Sequence, residues 1–155
     1  MADIIFNIAK GRLAAYVDRV VANDPANSAI TVVILKTAAA DAVLQDLDTL
    51  AAILAGASVE ADFTNYARKQ LTDADLAAPA VDDGNDRVDI SIPQITFAAA
   101  GGAVNNTTDK LLLCYDPDTT GGTDADLVPL AAYDYVETTS GSDLVINAGV
   151  VARAS

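Results

Sequence analysis

The sequence has no histidine and no tryptophan. Histidine is the side chain whose ordinary pKa lies nearest neutrality, the usual general base and a common metal ligand, so the commonest catalytic and ligating group is missing. Cysteine occurs once, at Cys114, which leaves no internal disulfide and no cysteine zinc cluster. Glutamate is nearly absent: Glu60 and Glu137 stand against twenty aspartates. Lysine and arginine total nine, and the formal charge is −13. Nucleic-acid affinity comes largely from Lys and Arg contacts to phosphate, so this balance argues against direct nucleic-acid binding. No run approaches the roughly 20 apolar residues of a membrane span, and the N-terminus lacks a basic, apolar, cleavable signal pattern. A soluble chain made in a reducing cytoplasm, with no membrane partner, is the expectation.

What is present points to strands. At 155 residues the chain suits a single domain. About half the residues are apolar, many of them alanine, so Val, Ile and Leu must build the core. Aspartate favours caps and turns because its short side chain bonds nearby backbone amides. An Asp-rich chain that is also rich in Val, Ile and Thr therefore reads as many strands joined by acidic turns.

The N-terminal segment reads as an amphipathic helix over residues 3–22, with Asp3 as its cap. Ile5, Ala9, Leu13, Tyr16, Val17, Val20 and Val21 recur at spacings of three and four. Gly11 is its weak point, since a mid-helix glycine costs about 1 kcal/mol. Asn23-Asp24-Pro25 ends it. Ala29 to Lys36 is a β-branched run with little alternation, a strand buried on both faces. Leu44, Leu47, Leu50, Ala51 and Leu54 have helical spacing, with Asp41 as a possible cap and Gly56 as a stop; a strand-and-loop reading stays open there. Further strands are expected over residues 63–71, 88–92 (extended by Ile95 to Phe97), 111–115, 128–136 and 144–151, separated by segments dense in Gly, Asp, Asn and Thr. The expected architecture is mainly β: a β-sandwich, jelly-roll-like, over residues 28–155, with an N-terminal α-helix over 1–24, all one domain.

Few residues carry chemistry. Asp116-Pro117-Asp118-Thr119-Thr120-Gly121 starts like a calcium loop, with carboxylates at positions one and three, a hydroxyl at five and glycine at six. Its twelfth position is Leu127 in place of a bidentate glutamate. Asp124 and Asp126 could complete a site only along a different path. A hairpin loop accounts for Asp116, Asp118, Asp124 and Asp126 without an ion. Asp82-Asp83-Gly84-Asn85-Asp86 is a weaker version of the same pattern. Cys114 lies in the apolar run Leu111 to Tyr115 and reads as a buried thiol, since a reactive one needs electropositive neighbours. There is no P-loop, no G-x-S-x-G and no G-x-G-x-x-G, so neither an enzyme nor a cofactor is expected. Arg68-Lys69 is the only adjacent basic pair. It is either a solvated strand pair or a contact with an acidic surface.

The order of these elements resembles a family of small structural proteins of tailed bacteriophages. It comprises FNIAKGRLAAYVDRV, SAITVVILK, FTNYARKQL, DRVDISIP and KLLLCYDPDTTGGTD before LVPL. Proteins of that kind carry a helix, a leucine-rich strand, a Gly-Tyr-Ala-Arg strand and a Phe-Asp-x-x-x-Gly-Gly turn before a hydrophobic-proline step. Here Asn65 replaces that glycine, and Tyr115 stands where phenylalanine is commoner. The resemblance implies a virion-surface protein, most simply a capsid decoration (cement) or head-surface protein. Its partners would be the major capsid protein and neighbouring copies of itself, as a trimer or lattice. A tail or fibre adaptor binding a receptor, and a calcium-dependent carbohydrate-binding module, are the alternatives. The residues expected at an interface are Leu13, Tyr16, Val17 and Val20 on the helix face, with Tyr66, Arg68 and Lys69 beyond it.

Overall fold

The computed structural model describes residues 4–154. They form a mainly β fold, as expected, in which antiparallel sheets stack across a shared core with one short N-terminal helix against them. The central sheet has the strand order β1 (Ile4–Ile5), β9 (Val128–Asp134), β8 (Lys110–Asp116), β2 (Ala29–Thr37), β3 (Val59–Glu60), and β4 (Lys69–Leu71) also pairs with β2. Register runs Ile30 to Tyr115, Val32 to Leu113 and Ile34 to Leu111. All seven residues of β8 and the first seven of β2 are buried. That is what their unbroken apolar runs require, because a strand covered on both faces cannot alternate. Pro129 has no N–H to give the ladder and sits where the β8–β9 register shifts, a position that tolerates proline.

One face of this sheet, with Ile30, Val32, Ile34, Leu111, Leu113 and Tyr115, is covered by a bent ribbon and by α1 (Leu13–Val21). The ribbon consists of β6 (Arg87–Ile92) and β7 (Ile95–Ala100) running antiparallel to β10 (Ser142–Ile146) and β11 (Gly149–Ala154). Ile92 faces Gly149 and Ile95 faces Ile146, so the register is unchanged across the bend at Pro93-Gln94 and Asn147-Ala148. Proline interrupts the ladder without shifting it. β5 (Ala80–Asp82) adds a third strand beside β6. The opposite face of the central sheet, with Val33, Leu35, Leu112 and Cys114, is covered by Phe6, Leu44, Leu50 and Ile53. These last three come from α2 (Asp41–Leu44) and α3 (Leu50–Ala55).

Four sequence expectations are corrected. The N-terminal helix starts at Leu13 rather than residue 3. Gly11 adopts φ +74°, which breaks a helix, while Ile4–Ile5 pairs with β9 and Asn7–Ala9 forms a 3-10 turn. Asp3, expected as the cap, lies outside the described residues. The helix expected over 41–54 is two, and the cap of the second is Thr49, whose Oγ1 accepts from the Ala52 amide at 3.1 Å. Asp41 makes no cap bond; it sits 2.9 Å from the Lys110 ammonium. Residues 63–68 are a turn rather than a strand, so the strand expected over 63–71 shrinks to Lys69–Leu71. Residues 144–151 fall on two strands, split at the ribbon's bend.

Candidate functional site: the Arg68 clamp and the acidic loop

The turn at Phe63–Arg68 is built around Asn65, at φ +68°. Asparagine is among the few residues other than glycine that tolerate the left-handed region. Its Nδ2 donates to the Ala99 carbonyl at 2.9 Å, tying the turn to the ribbon. The turn aims Tyr66 into the gap between β4 and β3, where β2 lacks a strand partner. There the Tyr66 hydroxyl accepts from the Ile34 amide at 3.1 Å and donates to Glu60 Oε1 at 2.8 Å. Its ring lies nearly parallel to Phe97, with centroids 6.0 Å apart, and edge-on to Phe63. Burial pushes the phenol well above its ordinary pKa.

Arg68 holds two carboxylates at once. Its Nε and one terminal nitrogen donate to the two oxygens of Glu60 at 2.8 and 2.7 Å. Both terminal nitrogens donate to Asp124, at 2.5 and 3.0 Å. The planar guanidinium suits this geometry, and its hydrogen bonds to Glu60 and then Asp124 raise its pKa further. Arg68 in turn holds the Asp124 carboxyl below the usual range. Arg68, expected at an interface with an acidic surface, thus grips two carboxylates of its own chain. Lys69 lies over the Phe97 ring, 5.3 Å from the centroid.

The helix residues expected at an interface are corrected in the same way. Val17 and Val20 are buried in the chain's own core, and Leu13 and Tyr16 are half-buried against it. The Tyr16 ring stands 4.8 Å from that of Tyr115. The amphipathic stripe was legible in the sequence; that its cover is the chain's own sheet was not.

The acidic loop after β8 is pinned residue by residue. Buried Asp116 accepts from the Asp118 amide at 3.0 Å. Asp118 accepts from the Thr120 amide at 3.0 Å and its hydroxyl at 2.6 Å, which lower its pKa. Asp126 accepts from the Thr123 amide at 2.7 Å, and Asp124 is taken by Arg68. The four carboxylates considered for calcium thus each face a different local partner. Among the described residues no group of three or more His, Cys, Asp or Glu side chains converges as a metal would require. Asp82 belongs to a turn, accepting from the Asn85 side chain at 2.7 Å and pairing with Arg87. Cys114 is fully buried, and burial pushes its thiol up to about 12, the opposite of a reactive cysteine.

One site was missed by sequence reading. Lys110 is buried, and although burial opposes its charge, Asp134 at 2.5 Å and Asp41 at 2.9 Å raise its pKa overall. A lysine beside four apolar strand residues was the available signal. Comparison with family models, curated proteins and solved structures finds no match to this chain.

Proposed function

We propose that the chain is a structural component of a bacteriophage virion, a capsid decoration or head-surface protein. In this reading it stabilises the shell through contacts with the major capsid protein and with neighbouring copies. The observation that carries it is how the distinctive side chains are used. Arg68, Tyr66, Asn65 and the loop aspartates hold surface loops in set shapes around a doubly covered sheet. Ordered loops lower the entropy lost when a surface docks, which suits a protein acting by shape and charge. The order of motifs along nearly the whole chain supports the same reading.

The test is biochemical. Phage particles from a host carrying this gene are banded by density, then analysed by quantitative mass spectrometry and by immunogold labelling. The protein should co-band at a constant ratio to the major capsid protein and label heads, and particles lacking it should lose DNA at a lower temperature. Recovery of the protein only in the soluble fraction of the lysate would overturn the reading, and labelling confined to tails would replace the head assignment.

A further inference from the structure

Among the described residues, five of the nine cations stand in ion pairs: Lys36, Arg68, Arg87, Lys110 and Arg153. Lys69 lies over Phe97. The remaining three, Lys10, Arg12 and Arg19, fall within ten residues of one another at α1, and all three are exposed. Arg12 and Arg19 are seven positions apart, two helical turns, on the side away from Val17 and Val20. Exposed Ala15 and Ala22 lie near them and are too small to screen them. Asp18 and Asp24 are the acids on the same segment.

The rest of the chain is the complement. Residues 1–27 hold three cations and three acids, so the whole net charge of −13 resides in residues 28–155. From Leu111 to Ala152 there are seven acids and no Lys or Arg. On the loop after β8, Asp118 and Asp126 are exposed, and among the described residues neither has an ion pair. Asp118 and Asp126 sit on the pinned loop, so their positions are set before any partner arrives.

We propose that the outward face of α1, through Lys10, Arg12 and Arg19, docks on the acidic loop side of a second copy of this chain. The inference rests on the self-association in the proposed function and gives it a geometry. Two different patches meet, so the contact is head-to-tail; such contacts generate rings or open arrays rather than closed two-fold dimers. Charge complementarity selects the occupant. Three cations interleaved with two aspartates are too few to hold a nucleic-acid backbone, whereas the matching carboxylates occur on every copy. Net repulsion between copies is screened beyond about 8 Å at physiological salt, while facing patches still attract. Each pair is weak alone, and repetition across an array supplies the strength.

The experiment is sedimentation velocity on the full chain at a low, physiological salt of about 0.15 M and a high salt of about 1 M, where screening lengths are about 8 and 3 Å. The parent should grow in mean mass with concentration at low salt and return to monomer at high salt. Arg12→Glu with Arg19→Glu should weaken association at least about tenfold, and Asp118→Lys with Asp126→Lys should do the same. Mixing the two reversed proteins should restore association, which misfolded variants could not do. A parent that stays monomeric at low salt, an association that survives high salt, or a mixture that stays monomeric would overturn the proposal. So would salt-sensitive binding to anionic vesicles or duplex DNA without self-association. Because purified protein alone is used, a monomer that still decorates particles would sink this inference and leave the virion reading standing.

Discussion

The central sheet and the bent ribbon are both antiparallel, yet they are built on different rules. In β2 and β8 each face has a cover, so Val32 to Leu35 and Leu111 to Tyr115 are apolar without alternation. In the ribbon one face meets the core and the other meets water. Ile90, Ile92, Ile95, Phe97, Leu144 and Ile146 point inward, while Asp89, Ser91, Thr96 and Val145 do not. The comparison teaches that strands paired alike can be buried very differently. What differs is how much apolar surface each residue removes from water.

That contrast can be broken by substitution. Leu112→Ala, in the fully buried middle of β8, should cost about 2–5 kcal/mol in urea unfolding, because a cavity is left between two covered faces. A cost no greater than that of a ribbon surface change would refute the difference between the regions. Gly101→Ala should cost about 1–3 kcal/mol, since φ is +91° and a Cβ would meet Asn105 Oδ1 and Thr139 closer than van der Waals contact allows. The ribbon is thus vulnerable at its end, where β7 turns into the loop, more than along its length.

Arg68→Met tests the clamp that ties β3 of the central sheet to the acidic loop. It should cost about 1–3 kcal/mol near neutral pH, by leaving Asp124 without its Arg68 donors and Glu60 with only the Tyr66 hydroxyl. The pH dependence follows from Asp124, whose folded pKa is depressed by Arg68. Its contribution is present above the unfolded value, about 3.9, and is lost as pH falls through the lower folded value. The parent should therefore lose stability below about pH 4, and the gap between parent and Arg68→Met should narrow there. A gap that stays constant down to pH 2 would assign the cost to lost packing rather than charge. Val145→Ser, on the outward face of β10, should change stability by no more than about 0.5 kcal/mol. Smallest of all, a chelator should leave the melting temperature nearly unchanged. A fall of more than about 5 °C would mean that the acidic loop gathers its carboxylates around an ion.

The sequence by itself determined the class and most of the strands, because burial on two faces and on one leave different periodicities that no distant contact is needed to read. It also marked Val17 and Val20 as an apolar helix face in need of a cover, Arg68 as half of the one adjacent basic pair, and the aspartates as turn residues. Only the tertiary structure decided which partners these features meet. Glu60 and Asp124 stand eight and fifty-six positions from Arg68, and no local rule selects them among twenty-two acids. The helix start moved from residue 3 to Leu13 because pairing Ile4–Ile5 with β9 and burying Phe6 outweigh the helical spacing of the same residues. Residues 63–68 form a turn because Tyr66 completes the open stretch of β2 with its phenol rather than its backbone. Periodicity reports that a face must be covered; only the packed chain supplies the cover.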